Sequence, residues 1–118
     1  MASKPIVWMG SSRQDLRSLP EAVRRDVGQA LYTAQQGETD PAAKPLKGFG
    51  ATRVMEIVDR HETDTYRVVY TAQFAGTLYV LHVFQKKSKK GVATPRKDIE
   101  LVCQRLAAAK RHYKERQS

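Results

Sequence analysis

The sequence predicts an α+β domain: a mainly antiparallel four-stranded sheet, with two helices early in the chain and one at its end, in the order βααβββα. Three observations carry this. Apolar residues recur at helical spacing from Val23 to Ala34 and again from Ile99 to Ala109. Between those segments lie three strand-length runs rich in Val, Ile, Tyr and Phe, parted by turn-like stretches. With 118 residues, 41% hydrophobic and 28% charged, the chain can bury one core and is read as a single domain, 1–118.

Each element has a local reason. Pro5-Ile6-Val7-Trp8-Met9 reads as a short strand bounded by Gly10. Ser11 and Ser12 are expected to cap a short helix through Leu19, because a hydroxyl can accept from the orphan N–H groups of a first turn. Pro20 suits the opening of a second helix. Val23, Val27, Ala30, Leu31 and Ala34 form its apolar stripe, and Gly37 stops it. Residues 38–51 hold Pro41, Pro45, Gly48 and Gly50 and read as a loop. Arg53–Asp59, Tyr66–Ala72 and Thr77–Gln85 follow as a three-stranded meander. In the last of these, Tyr79 to Phe84 is apolar on both faces, which places it inside the sheet. Gly91 and Thr94-Pro95 lead into the final helix, whose apolar face is Ile99, Val102, Cys103, Leu106 and Ala109. The helices are expected to cover one face of the sheet.

Several function classes drop out. A lone cysteine, Cys103, excludes an intrachain disulfide framework and a multi-cysteine zinc site. Placed on a buried helix face without an activating neighbour, it is a poor nucleophile. No apolar stretch approaches the roughly 18–20 residues of a membrane span, and the first residues lack the long apolar segment of a secretory signal, so none is expected. The expectation is a cytoplasmic protein without a membrane partner. The histidines and carboxylates show no metal spacing, and no Gly-rich loop matches a nucleotide-binding pattern, so no metal and no cofactor are expected.

Charge is the stronger signal. The formal net charge is +9. Residues 1–78 carry 10 basic and 9 acidic side chains, whereas residues 79–118 carry 11 and 3. A positive field confined to one third of the chain gathers polyanions, and nucleic acid is the leading partner. Six cations fall between Lys86 and Lys97, directly after a strand that fixes where they begin. Arg67 lies mid-strand among apolar residues, on the face of Val69 and Thr71. Burying it alone is costly. Either it pairs with a carboxylate such as Glu56 or Asp59, or it faces an anion groove. Glu56 is a strand carboxylate near these cations, able to act as a general base or as the partner of Arg67. His82, mid-strand in apolar company, is either a satisfied core residue or an acid–base group.

These residues also carry a resemblance. Leu46-Lys47-Gly48-Phe49-Gly50, Met55-Glu56-Ile57, Tyr66-Arg67-Val68-Val69-Tyr70 and Tyr79-Val80-Leu81-His82-Val83-Phe84-Gln85-Lys86-Lys87-Ser88, with Thr94-Pro95 beyond, resemble the phage-derived HigB-like branch of the RelE/ParE toxin superfamily. The likeness covers nearly the whole chain and implies a RelE-like fold. It implies the toxin of a type II toxin–antitoxin pair: a metal-independent endoribonuclease that cuts messenger RNA in the ribosomal A site by attack of a 2′-hydroxyl, and so inhibits translation. The implied partners are a helix-turn-helix antitoxin, the ribosome with its A-site message, and operator DNA through the antitoxin complex alone. By match to the family pattern, Arg67, Lys86, Lys87 and Glu56 are the candidate catalytic residues. Lys47, Arg53, Lys89, Lys90, Arg96 and Lys97 are the candidate RNA- or ribosome-binding residues. A family arginine two positions after the glutamate is Val58 here, and His112 and Tyr113 stand where some members place a proton-transfer group. A different class also fits the charge: a non-catalytic RNA- or ribosome-binding module. A third reading is a structural phage-type protein whose charge serves assembly.

Overall fold

A computed structural model describes residues 3–86 and 94–117, the side chain of Ala51 excepted. The elements are β1 (Ile6–Trp8), α1 (Ser12–Arg17), α2 (Glu21–Gln35), β2 (Ala43–Pro45), a 3-10 turn (Gly50–Thr52), β3 (Val54–His61), β4 (Asp64–Thr71), β5 (Leu78–Lys86) and α3 (Arg96–Gln117). The five strands form one sheet in the order β1-β5-β4-β3-β2. All neighbours are antiparallel except β1 and β5, which run parallel with Ile6 opposite Leu78. The mixed α+β class and the mainly antiparallel sheet are as the sequence predicts.

The sheet has a fifth strand where a loop was expected. Ala43–Pro45 pairs with Ile57–Met55 at the outer edge. Proline lacks a backbone donor, and an edge strand tolerates that on its outward side. The breakers Pro41 and Pro45 therefore mark an edge, not only a loop. A second difference is larger. The helices cover both faces of the sheet. On one face, Val23, Val27, Ala30, Leu31 and Ala34 of α2 pack on Ile57, Tyr66, Val68, Tyr70 and Val80. On the other, Val102, Leu106 and Ala109 of α3 pack on Val69, Tyr79 and Leu81. Strands apolar on both sides cannot leave one side in water.

The caps show the same interplay of local and distant contacts. Gly37, at φ 86°, ends α2 as expected. Its N–H donates to the Ala34 carbonyl and that of Glu38 to the Thr33 carbonyl, the paired bonds of a left-handed helix stop. Ser11 occupies the N-cap of α1 without a hydroxyl cap bond. Its Oγ donates instead to Asp15 Oδ2 at 2.7 Å, and Ser12 Oγ donates to the Val80 carbonyl. Cys103 is exposed, contrary to expectation. α3 turns Val102, Leu106 and Ala109 fully inward and leaves Cys103 at the margin of that stripe.

One irregularity in β5 decides which polar groups meet α3. Val69 faces His82, yet the next residue, Tyr70, faces Val80. Leu81 is the extra residue of a β-bulge, so Leu81 and His82 both turn toward α3. Beyond the bulge, His82, Phe84 and Lys86 share the α3 face with Arg67 and Glu56. Strict alternation along β5 would have aimed His82 at α2.

Candidate active site

Three of the ladder rows on the α3 face carry its charged residues. The first holds Glu56, Val69 and His82, the second Val58, Arg67 and Phe84, and the third Arg60, Thr65 and Lys86. Glu56 and Arg67 are diagonal neighbours and both are buried, at 2% and 4% exposure. Arg67 Nη1 donates to Glu56 Oε1 at 2.8 Å. The sequence left two partners open for Arg67, and the structure gives it Glu56. A buried guanidinium and carboxylate each offset the other's desolvation penalty, so the pair is kept only while both members remain.

Glu56 has a second donor. Thr94 Oγ1, just before α3, donates to Oε2 at 2.7 Å. An ionised carboxylate accepts at about four lone-pair directions, and here Oε1 accepts from Arg67 and Oε2 from Thr94. The carboxylate forms the floor of a cleft of about 600 Å³, lined also by Lys44, Pro45, Leu46, Lys47, Thr94 and Ile99. Lys44 and Lys47 are exposed on the rim. β2 brings Lys44 there, because its antiparallel register sets it opposite Glu56, and Lys47 follows two residues beyond the strand. The cleft thus brings together a carboxylate held in place, two exposed lysines, and the apolar side chains of Leu46 and Ile99.

A second polar group lies at the other end of the same row. His82 Nε2 meets Asp98 Oδ1 at 2.7 Å, with both side chains buried. Arg105 Nη1 donates to the Leu81 carbonyl at 2.9 Å and approaches His82 Nδ1 at 3.4 Å. Arg105 Nη2 reaches Ser11 Oγ at 3.2 Å. An Nε2–H tautomer satisfies both imidazole contacts. Phe84 stacks on the ring at 4.7 Å between centroids. Gly10 leaves room for this cluster, since a Cβ there would stand 2.7 Å from the Arg105 guanidinium. His82 is therefore a satisfied core residue, the first of its two sequence readings.

The remaining predicted residues are dispersed. Lys86 is on the same face but buried at 8% exposure, and its side chain is partnered. Lys47 is at the cleft. Arg53 is exposed in a left-handed conformation, φ 51°, beside a small hollow with Lys4 and Tyr70, and does not line the cleft. Arg96 and Lys97 are exposed on the first turn of α3, where Arg96 pairs with Glu100 at 3.4 Å. Lys87, Lys89 and Lys90 lie outside the described residues. His112 and Tyr113 pack at the far end of α3: His112 Nδ1 is 2.9 Å from the Tyr79 hydroxyl, and Tyr113 lies against Phe74. Burial pushes the Tyr79 phenol upward, against the pull of Arg116.

Residues 14–107 match the family described as Phage derived protein Gp49-like (DUF891). The chain belongs to that family. The Gp49-like proteins are toxins of the RelE/HigB type. Among solved structures, the chain is similar to one described as the toxin–antitoxin complex RelBE2 from Mycobacterium tuberculosis. The identity is 21%, the TM-score is 0.48, and the match covers 72% of this chain and 100% of that one. No curated protein matches.

In this Gp49-like chain, Lys44, Thr94, Asp98 and Arg105 are site residues that the sequence does not mark as such. Lys44 was hidden because its strand is three residues long. Thr94 showed only as a helix-opening Thr-Pro, and its bond to Glu56 spans 38 residues. Among the described residues, no three His, Cys, Asp or Glu side chains gather to hold a metal, and no helix is long and apolar enough to cross a membrane.

Proposed function

We propose that this protein is the toxin of a toxin–antitoxin pair and cuts ribosome-bound messenger RNA at the Glu56 cleft. The observation that carries this is a buried carboxylate, gripped by Arg67 and Thr94, at the floor of a cleft rimmed by Lys44 and Lys47. In this reading Glu56 accepts the proton of an RNA 2′-hydroxyl as that oxygen attacks the adjacent phosphorus. The bond to the 5′-oxygen breaks and that oxygen takes a proton from water, leaving a cyclic phosphate on one fragment and a 5′-hydroxyl on the other, and Glu56 returns its proton to solvent. Lys44 and Lys47 counter the charge that builds on the phosphoryl oxygens. Arg67 sits behind Glu56 and acts through it. No metal or cofactor takes part. The family supports a cognate antitoxin, for which a helix-turn-helix protein is proposed, and the cytoplasm is the proposed site of action.

The burial of Arg67 and Lys86 favours a second reading, a non-catalytic ribosome-binding module, because neither buried cation presents itself to phosphate. Primer extension on a defined message in a purified translation system separates the two. The enzyme reading expects new 5′ ends at A-site positions, absent without ribosomes and absent with Glu56→Gln. Intact message at saturating protein, with the protein still cosedimenting with ribosomes, would establish the binding module.

A further inference from the structure

We infer that Asp98 and His82 are positioning residues: they seat the first turn of α3 so that Thr94 holds the cleft carboxylate. This rests on the reading of Glu56 as the proton acceptor. Glu56, Val69 and His82 stand in one row across three adjacent strands. Adjacent strands are about 4.8 Å apart, so Glu56 and His82 are separated by roughly 10 Å. The segment Thr94–Asp98 bridges that row with one contact at each end. Asp98 meets His82 at 2.7 Å and Thr94 meets Glu56 at 2.7 Å.

The bridge is stiff. Pro95 has a fixed φ, and its carbonyl accepts from the N–H groups of both Asp98 and Ile99, at 3.1 and 3.0 Å. Shifting Asp98 on His82 therefore shifts Thr94 on Glu56. The far anchor is held in turn. Arg105, tied to the Leu81 carbonyl and Ser11, stands at the second imidazole nitrogen and keeps the ring from turning. A buried polar pair gains little stability over an apolar pair of the same shape. What His82 and Asp98 provide that an apolar pair cannot is a directional contact.

The test uses the full chain with Thr94→Val, Asp98→Ala, their combination, and Asp98→Asn, which keeps an oxygen for His82. One readout is cleavage kinetics and the other is the 13C resonance of the Glu56 carboxyl. Thr94→Val and Asp98→Ala should each lower kcat about tenfold, as small displacements of a reacting group do, with KM nearly unchanged. The double variant should lose no more than either single, and Asp98→Asn should retain most of the rate. The Glu56 resonance should move in both single variants and return in Asp98→Asn. An unmoved resonance in Asp98→Ala, or losses that multiply to about a hundredfold in the double variant, would overturn the inference. If the unsubstituted protein cuts nothing, the proposed activity fails, and the resonance alone decides the positioning. If Asp98→Ala does not fold, Asp98→Ser, too short to reach His82, replaces it.

Discussion

The two faces of the sheet solve burial differently. Under α2 the packing is almost wholly hydrocarbon and aromatic: Val23, Val27 and Leu31 lie against Ile57, Val68 and Tyr70. Under α3 the same strands bury Glu56, Arg67, His82 and Lys86 beside Val69, Tyr79 and Leu81, and Asp98 reaches in from the helix. The first face gains free energy roughly in proportion to apolar area. The second gives part of that up to hold charges and hydrogen-bond donors in fixed places. Stability is expected to come mainly from the α2 side and chemistry from the α3 side.

The largest effect tests the second half of that contrast. Glu56→Gln keeps the shape of the side chain and removes the acceptor charge. Cleavage should fall by about 10²–10⁴, the usual contribution of a general base, measured by primer extension. Arg67→Met leaves Glu56 buried without its guanidinium. Urea unfolding should show a loss of about 3–5 kcal/mol, and Glu56→Gln in the same chain should recover part of it. On the other face, Leu31→Ala should cost about 2–5 kcal/mol. Its folded fraction should cleave at the unsubstituted rate, and a large drop in kcat there would break the division between the faces. Lys44→Ala with Lys47→Ala should lower the salt slope of RNA binding by about 1.4, two phosphate contacts on a single strand.

The smallest effect sharpens the contrast from the α2 side, where a polar spot lies at Asp59. Asp59 is pushed up to about 6 by burial first, then by a hydrogen bond with Asp26 and by that residue's charge, while His61 opposes the shift. A folded-state value above the ordinary 3.8 means that unfolding favours the ionised carboxylate. The resulting stability is present below 3.8, is lost as pH rises toward 6, and is gone above it. Asp59→Asn should therefore stabilise the fold at pH 7–8, by about 1 kcal/mol or less after solvent screening, and do nothing at pH 3. Thermal melts across that range check it.

Most of the fold was legible because it is written in local patterns. The three long strands lie within a few residues of where β-branched and aromatic runs placed them, and Gly37 stops α2. β2 was hidden because three residues containing a proline carry no period. The bulge at Leu81 was hidden because a strand apolar on both sides looks the same with either phase. That bulge decides which way His82 points, so the sequence could name His82 without choosing between its readings. The candidate site was legible in its strand residues and in Lys47. Glu56 and Arg67 are on neighbouring strands of a meander, and their pairing was one of two options. Thr94, Asp98 and Arg105 join through contacts that cross the sheet, which no local spacing records.

The order in which the chain is made has a consequence for its proposed place of action. β1 is synthesised before the rest of the sheet, yet the strand it pairs with is β5, from Leu78 onward. The cleft carboxylate waits longer still, for Thr94 and the first turn of α3. A nascent chain thus carries Lys44, Lys47 and Glu56 through the making of two further strands without the hydroxyl that completes their setting. The ribosome that produces this protein has, in effect, built the whole sheet before the proposed weapon against ribosome-bound messages is assembled.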